Sequence, residues 1–325
     1  SRESRCCFGM RLLFFLNTSE LNATGIWNSK TVLVLGTVQV FANLVSLLFN
    51  SAAIITIMYK RQYHRPIFIL FCSLGFSDLL TTFSSFYVTL LFMAKPDSTV
   101  YGTEELLKVY SAFSVAVLSA LYNLMSIGIE RCLSVAACLR ARHTVSEWQS
   151  LAAVSVNWGL AMLLGCLPVA GWNCLHTGET SNLYSPLCMD YLIFVTIPNC
   201  LVTFTILFGT YVTIIVKLRK HKTAVAAFGA SVVNTYRQAE ARVTRTSVFI
   251  WFLAMASYLP FFAGVLWDAS KPLCPQQLTT GIFVFRNMTS IMFAVNSIGN
   301  PLLYTLKFKS VGKTLNALKC PTRQK

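Results

Sequence analysis

Seven long apolar runs, each interrupted by a few polar positions, alternate along the chain with short segments rich in basic residues. The runs cover residues 32–59, 66–93, 107–134, 151–170, 191–218, 243–267 and 280–306. Each reaches the length of about 20 residues that a helix needs to cross a bilayer. Polar groups are costly in hydrocarbon, so those kept inside the runs mark function. The most telling are Asn50 in the first, Asp78 in the second, Glu130 and Arg131 closing the third, and Asn296, Ser297, Asn300, Pro301 and Tyr304 in the seventh. The pattern predicts an all-α membrane protein: an extracellular N-terminus over residues 1–31, a seven-helix bundle over 32–306, and a cytoplasmic segment over 307–325.

Composition agrees. Of 325 residues, 55% are hydrophobic and only 12% charged, with a mean hydropathy of +0.59, against about 25% charged in soluble domains. Basic residues then orient the bundle, because short loops rich in Lys and Arg stay cytoplasmic. With the N-terminus outside, 19 of the 27 Lys and Arg fall on the cytoplasmic face. The net charge of +15 is thus an inner-leaflet and cytosolic-partner signal, and nucleic-acid binding is excluded because the basic residues flank spans instead of forming a domain of their own. Sequons at Asn17 and Asn22 lie on the side where glycosylation occurs. The first nine residues read as the start of a fragment or as an extension ahead of Met10, and the apolar run 12–16 is too short to argue for a signal peptide.

The 11 cysteines divide by compartment. Cys174 and Cys188 bracket one outer loop in an oxidising space, so an intraloop disulfide is the expected pairing. Cys6, Cys7 and Cys274 are also outside, and the sequence leaves open whether one of the pair joins Cys274. After Tyr304, Phe308, Val311, Leu315 and Leu318 recur at helical spacing among lysines, which predicts an interfacial amphipathic helix in contact with membrane lipids, with Cys320 as a palmitoylation site. No catalytic constellation appears, and the four histidines lack metal-ligand spacing.

One marker per span resembles the rhodopsin-like (class A) G protein-coupled receptors: Asn50, Asp78 in Leu74–Leu80, Glu130-Arg131-Cys132, Trp158, Tyr211, Pro260, and Asn300-Pro301-Leu302-Leu303-Tyr304, in order and each in its own span. The resemblance implies a receptor, not an enzyme, in the plasma membrane with heterotrimeric G protein as partner. It implies that Asp78, Asn50, Asn296, Ser297 and Asn300 form a polar network around an allosteric sodium ion, the one metal expected and otherwise no cofactor, although Ala120 stands where the family offers a serine. It also implies an Arg131–Glu240 lock between the third and sixth spans. Glu240 precedes Pro260 by 20 residues, about 30 Å of helix, which sets it level with Arg131. Pro260 provides the kink, Tyr211 and Tyr304 stabilise the released arginine, and Leu139 enters the G protein.

Ligand class follows from departures. Ala294 replaces the retinal lysine, Phe113 replaces the amine-binding aspartate, and no cysteine lies at the start of the third span near Leu106. That combination resembles the lysophospholipid, sphingosine-1-phosphate and cannabinoid receptors and their orphan relatives. A lipid pocket is expected among Phe86, Val109, Tyr110, Phe113, Phe261, Phe262 and Phe283, with Phe83, Tyr87 and Trp267 nearby. Val109 and Tyr110 occupy the positions where phosphate-recognising members carry an arginine and a polar residue, so the resemblance leans to a less charged lipid. Tyr258 stands for the usual sixth-span tryptophan and Ala254 for the phenylalanine below it, while the fifth-span proline is displaced to Pro198. Alternatives are a ligand-independent receptor, a melanocortin-like peptide or adenosine-like receptor, and, remotely, a seven-span transporter or channel.

Overall fold

The computed structural model describes residues 28–59, 66–96, 98–140, 145–175, 181, 183–224, 230–270 and 280–318. The helices are α1 Ser29–Tyr59, α2 Pro66–Ala94, the single turn α3 Ser98–Tyr101, α4 Glu104–Arg140, α5 Glu147–Gly165, α6 Met189–Tyr191, α7 Ile197–Ala224, α8 Ala230–Ser270 and α9 Thr280–Leu318. The seven expected spans are α1, α2, α4, α5, the α6–α7 rod, α8 and α9. Helix is the only open-ended way to satisfy every backbone N–H and C=O inside hydrocarbon. Packing closes the set into one ring: α1 lies on α2 and α9, α8 lies between α7 and α9, and α4 sits inside against α2, α5 and α7.

The molecule is apolar outward and polar inward. Phe41, Leu48, Leu163 and Phe252 face outward and are exposed, while Asn50, Asp78, Asn123 and Asn300 are buried. That inversion is what a lipid solvent selects. Among the described residues six helices are long and apolar enough to cross a membrane, and α5 is not one of them. Its run was expected to extend to residue 170, but the helix ends at Gly165 and turns follow. Pro168 explains the difference, because it lacks an N–H and disfavours helical geometry in the residue before it. At its other end α5 starts on a capping box, with the Gln149 N–H donating to Ser146 Oγ at 3.3 Å and the Ser146 N–H donating to Gln149 Oε1 at 2.9 Å.

The fifth span carries a π-helical turn at Leu192–Thr196, joining α6 to α7. Pro198 accounts for it: its ring would strike the carbonyl of Phe194 in a regular helix, and the widened turn makes room. Pro260 and Pro301 lie inside α8 and α9. The segment expected as a separate amphipathic helix is helical through Leu318 and continues α9 without a break.

Candidate ligand cavity and polar switch network

Between the ends of the helices nearest the disulfide lies a cavity that opens at a mouth. Its lining is largely apolar, with Phe113, Val117, Leu118, Cys200, Phe261 and Phe293, and carries a polar set that includes Gln39, Ser85, Thr289, Ser290 and Arg286. Arg286 is the one charged side chain among the described residues lining it. That arginine is buried and donates from Nη1 to the Thr99 carbonyl at 2.6 Å and from Nη2 to Thr99 Oγ1 at 2.9 Å. Both bonds orient the guanidinium toward the α3 turn. Arg286 is not among the residues expected to form the pocket, although an ionisable residue six positions into a span is itself a functional signal.

Of the expected pocket residues, Tyr110, Phe113 and Phe261 line the cavity. Phe86 and Val109 do not line it, and Phe262 is turned away into packing, with its ring against Phe204 at 6.3 Å and Phe261 at 6.0 Å. Rings dominate the apolar lining: Phe293 meets Phe113 at 5.4 Å, Tyr258 at 5.1 Å and Phe261 at 5.6 Å, all edge to face, the arrangement aromatic quadrupoles favour. Loop residues that were not anticipated join them. Tyr184 and Leu187 line the cavity beside the bonded pair Cys174–Cys188, whose Cα atoms are 5.1 Å apart. Burial holds the Tyr184 phenol above its ordinary range, so it stays neutral.

Below the cavity runs the polar network. Asn300 Nδ2 donates to Asp78 Oδ2 at 3.0 Å. Asn50 Nδ2 donates to the Ser46 carbonyl at 3.0 Å and the Ser297 carbonyl at 3.1 Å, and Ser46 Oγ shares hydrogen bonds with Thr82 at 2.8 Å and Ser297 at 2.9 Å. Asn296 is buried next to them. These bonds tie α1, α2 and α9 at one level. A second knot, unforeseen, joins α2, α4 and α5: Ser77 to Ser119 at 2.8 Å, Asn157 Nδ2 to Asn123 Oδ1 at 3.1 Å, and Trp158 Nε1 to Ser73 Oγ at 3.0 Å. In a bilayer such bonds replace the hydrophobic effect as helix glue.

At the far end of α4, Arg131 Nε lies 2.8 Å from Glu130 Oε2, and Ser134 Oγ donates to Glu130 Oε1 at 2.8 Å. Tyr211 is buried on α7, Tyr258 is buried on α8, and Pro301 follows Asn300 on α9. The side chains of Leu139, Glu240, Phe283 and Tyr304, and the whole of Cys6, Cys7, Asn17, Asn22, Cys274 and Cys320, lie outside the described residues.

A family model described as 7 transmembrane receptor (rhodopsin family) matches residues 49–304. Likeness to curated proteins spans nearly the whole chain. Lysophosphatidic acid receptor 1-A of Xenopus laevis is 27% identical over 325 residues, 99% of this chain and 85% of that protein. Lysophosphatidic acid receptor 1 of Homo sapiens is 26% identical over the same shares, and lysophosphatidic acid receptor 3 of Rattus norvegicus is 24% identical over 318 residues, 98% and 87% of the two chains.

Proposed function

The chain belongs to the rhodopsin family of seven-transmembrane receptors, and on that premise we propose that it detects an anionic lysophospholipid at the disulfide end of the bundle and drives a heterotrimeric G protein at the Arg131 end. It is a multi-pass receptor of the plasma membrane and not an enzyme. The observation that carries the ligand reading is the cavity: a largely apolar lining with one charged residue among the described ones, Arg286. Such a site matches one acyl chain and one anionic headgroup. Arginine suits the headgroup because its planar fork pairs with phosphate oxygens on two donors. The three relatives reported above, each named as a lysophosphatidic acid receptor, support the same chemistry. Arg286 thereby offsets what Val109 and Tyr110 withhold on α4.

The excess of basic residues at the Arg131 end supports a cytoplasmic placement of that end, with the N-terminus and the disulfide loop outside. On that orientation Arg131, Tyr211, Tyr304 and Leu139 form the G protein side, and Asn17 and Asn22 lie in the glycosylated space. Asp78 is the residue that would hold an allosteric sodium ion, since a buried carboxylate among hydroxyls suits a hard cation.

Arg286→Gln tests the ligand reading. Removing one partner of a buried charge pair costs about 2–5 kcal/mol, so the potency of lysophosphatidic acid should fall by at least about tenfold while an uncharged monoacylglycerol is unaffected. Thr99→Val, which removes only the hydroxyl that aims the guanidinium, should act more mildly. Unchanged lysophosphatidic acid potency in Arg286→Gln at equal surface expression would sink the reading.

A further inference from the structure

The second outer loop does more than cover the cavity. Its segment 181–188 turns inward, with Ser181, Leu183, Tyr184, Ser185, Leu187 and Cys188 all buried. The turn closes on itself: the Ser181 N–H donates to the Leu187 carbonyl at 2.9 Å, and the Leu187 N–H donates to the Tyr184 carbonyl at 3.0 Å. Gly102, at φ +73°, seats its far side, where a Cβ would stand 2.7 Å from Ser185 Oγ; that backbone conformation suits glycine.

The segment is fastened to one face of α8. Asp268 Oδ2 accepts from Ser181 Oγ at 2.6 Å and from the Leu183 N–H at 3.2 Å. One turn along, Gly264 lets the loop approach; a Cβ there would lie 2.9 Å from Tyr184 Oη and 3.3 Å from a Leu183 methyl. One turn further, Phe261 stacks on the Tyr184 ring with centroids 4.9 Å apart. Positions 261, 264 and 268 share a helix face. From Phe261 the ring contacts continue to Phe293 at 5.6 Å and from there to Tyr258 at 5.1 Å, two residues before the Pro260 kink.

We propose that segment 181–188 is a built-in occupant of the ligand cavity, with Tyr184 holding the arm of α8 beyond Pro260 against the bundle and thereby favouring the signalling arrangement before any ligand arrives. The lever is the proline kink. It divides α8 into two arms, and all three fastenings, Phe261, Gly264 and Asp268, lie on the arm at the disulfide end. Drawing that arm inward swings the other arm, beside Arg131, outward. An attached side chain can bias a two-state packing as a ligand does, provided it contacts the two states unequally. Tyr184 meets this condition because its ring lies against Phe261 and its hydroxyl beside Gly264 on the moving arm, while its hydroxyl also reaches Thr289 on α9 and its own segment is held by the Cys174–Cys188 bond near α5 and α6. The inference uses the cavity described above but not the identity of its ligand.

The test is second-messenger output in lipid-free medium, per surface copy, for the intact chain and for Arg131→Ala, Tyr184→Ala and Asp268→Asn. The intact chain should signal without ligand in an Arg131-dependent manner. Tyr184→Ala should lower that signal by roughly threefold to tenfold, the range that one aromatic pair corresponds to, and Tyr184→Phe should retain most of it. Asp268→Asn, which keeps the shape but weakens both anchoring bonds, should lower it too, and decides the matter if Tyr184→Ala does not reach the surface. No ligand-free signal in the intact chain, or an equal or higher signal in both Tyr184→Ala and Asp268→Asn, overturns the proposal. A Tyr184-dependent ligand-free signal in a receptor deaf to lysophosphatidic acid upholds it while removing the ligand reading.

Discussion

Gly165→Leu is expected to leave almost no receptor at the cell surface. A Cβ built on Gly165 would stand 2.6 Å from the backbone nitrogen of Val115, 2.8 Å from its Cα and 2.6 Å from its Cγ2. Two of those three atoms are main chain, so no rotamer change relieves the clash and α5 must move off α4. The same glycine's carbonyl accepts from Ser111 Oγ at 2.6 Å, a bond that separation also breaks. Overpacking a tight core costs about 1–3 kcal/mol and occasionally more. At about 3 kcal/mol the ratio of folded to unfolded receptor falls roughly a hundredfold. Gly159→Leu is the control on the same helix: nothing lies within 4 Å of its Cβ position, and that variant should reach the surface normally. Surface labelling of the two variants checks the expectation, and equal expression would show that α4 and α5 do not touch as closely as described.

The contrast between those two glycines shows what the sequence could and could not convey. Both sit in the same apolar run, and the side of the helix that faces a partner is set by packing, which length and hydropathy do not encode. The spans themselves were legible because bilayer thickness fixes a length, and apolar runs of that length have few other uses. Their polar residues were legible for a related reason: Asp78 and Asn300 cost too much in lipid to be incidental, and they are bonded to each other at 3.0 Å. The end of α5 at Gly165 was overshot by five residues because the apolar run continues through Pro168, which the hydropathy signal ignores and the backbone does not.

Loop residues were the least legible. Nothing local in Ser181-Asn182-Leu183-Tyr184 distinguishes it from an ordinary outer turn, and its meaning comes from Asp268 and Gly264, more than 80 residues away. Cys174 and Cys188 were read correctly because compartment and spacing suffice for a disulfide. Arg286 lay between these cases. Its position inside a span is plain, yet the expected pocket was built mostly on aromatic residues and passed it over.

Glu130→Gln should raise ligand-free signalling by roughly threefold, and Arg131→Ala should abolish signalling altogether. The Arg131 Nε to Glu130 Oε2 distance of 2.8 Å, with side chains 28% and 9% exposed, describes a close pair at the edge of the bundle. An ion pair at the edge of the bundle contributes about 0.2–1 kcal/mol, and each 1.4 kcal/mol is about tenfold in population, so the expected rise is a few-fold. The pair lies within one helix, so it cannot by itself tie α4 to α8. It can act as a brake only by keeping the guanidinium bound along α4. Ser134, donating to the other carboxylate oxygen at 2.8 Å, steadies the same rotamer. A lock to Glu240 would act differently, holding the inner arm of α8 in place. The two mechanisms separate by a double-mutant comparison. If each brake acts alone, Glu130→Gln and Glu240→Ala raise the signal independently and their effects multiply. If Arg131 must choose one partner at a time, the combined variant exceeds either single change by less than their product. An unaltered ligand-free signal in Glu130→Gln would mean that the intrahelical pair merely neutralises Arg131 and that restraint lies elsewhere.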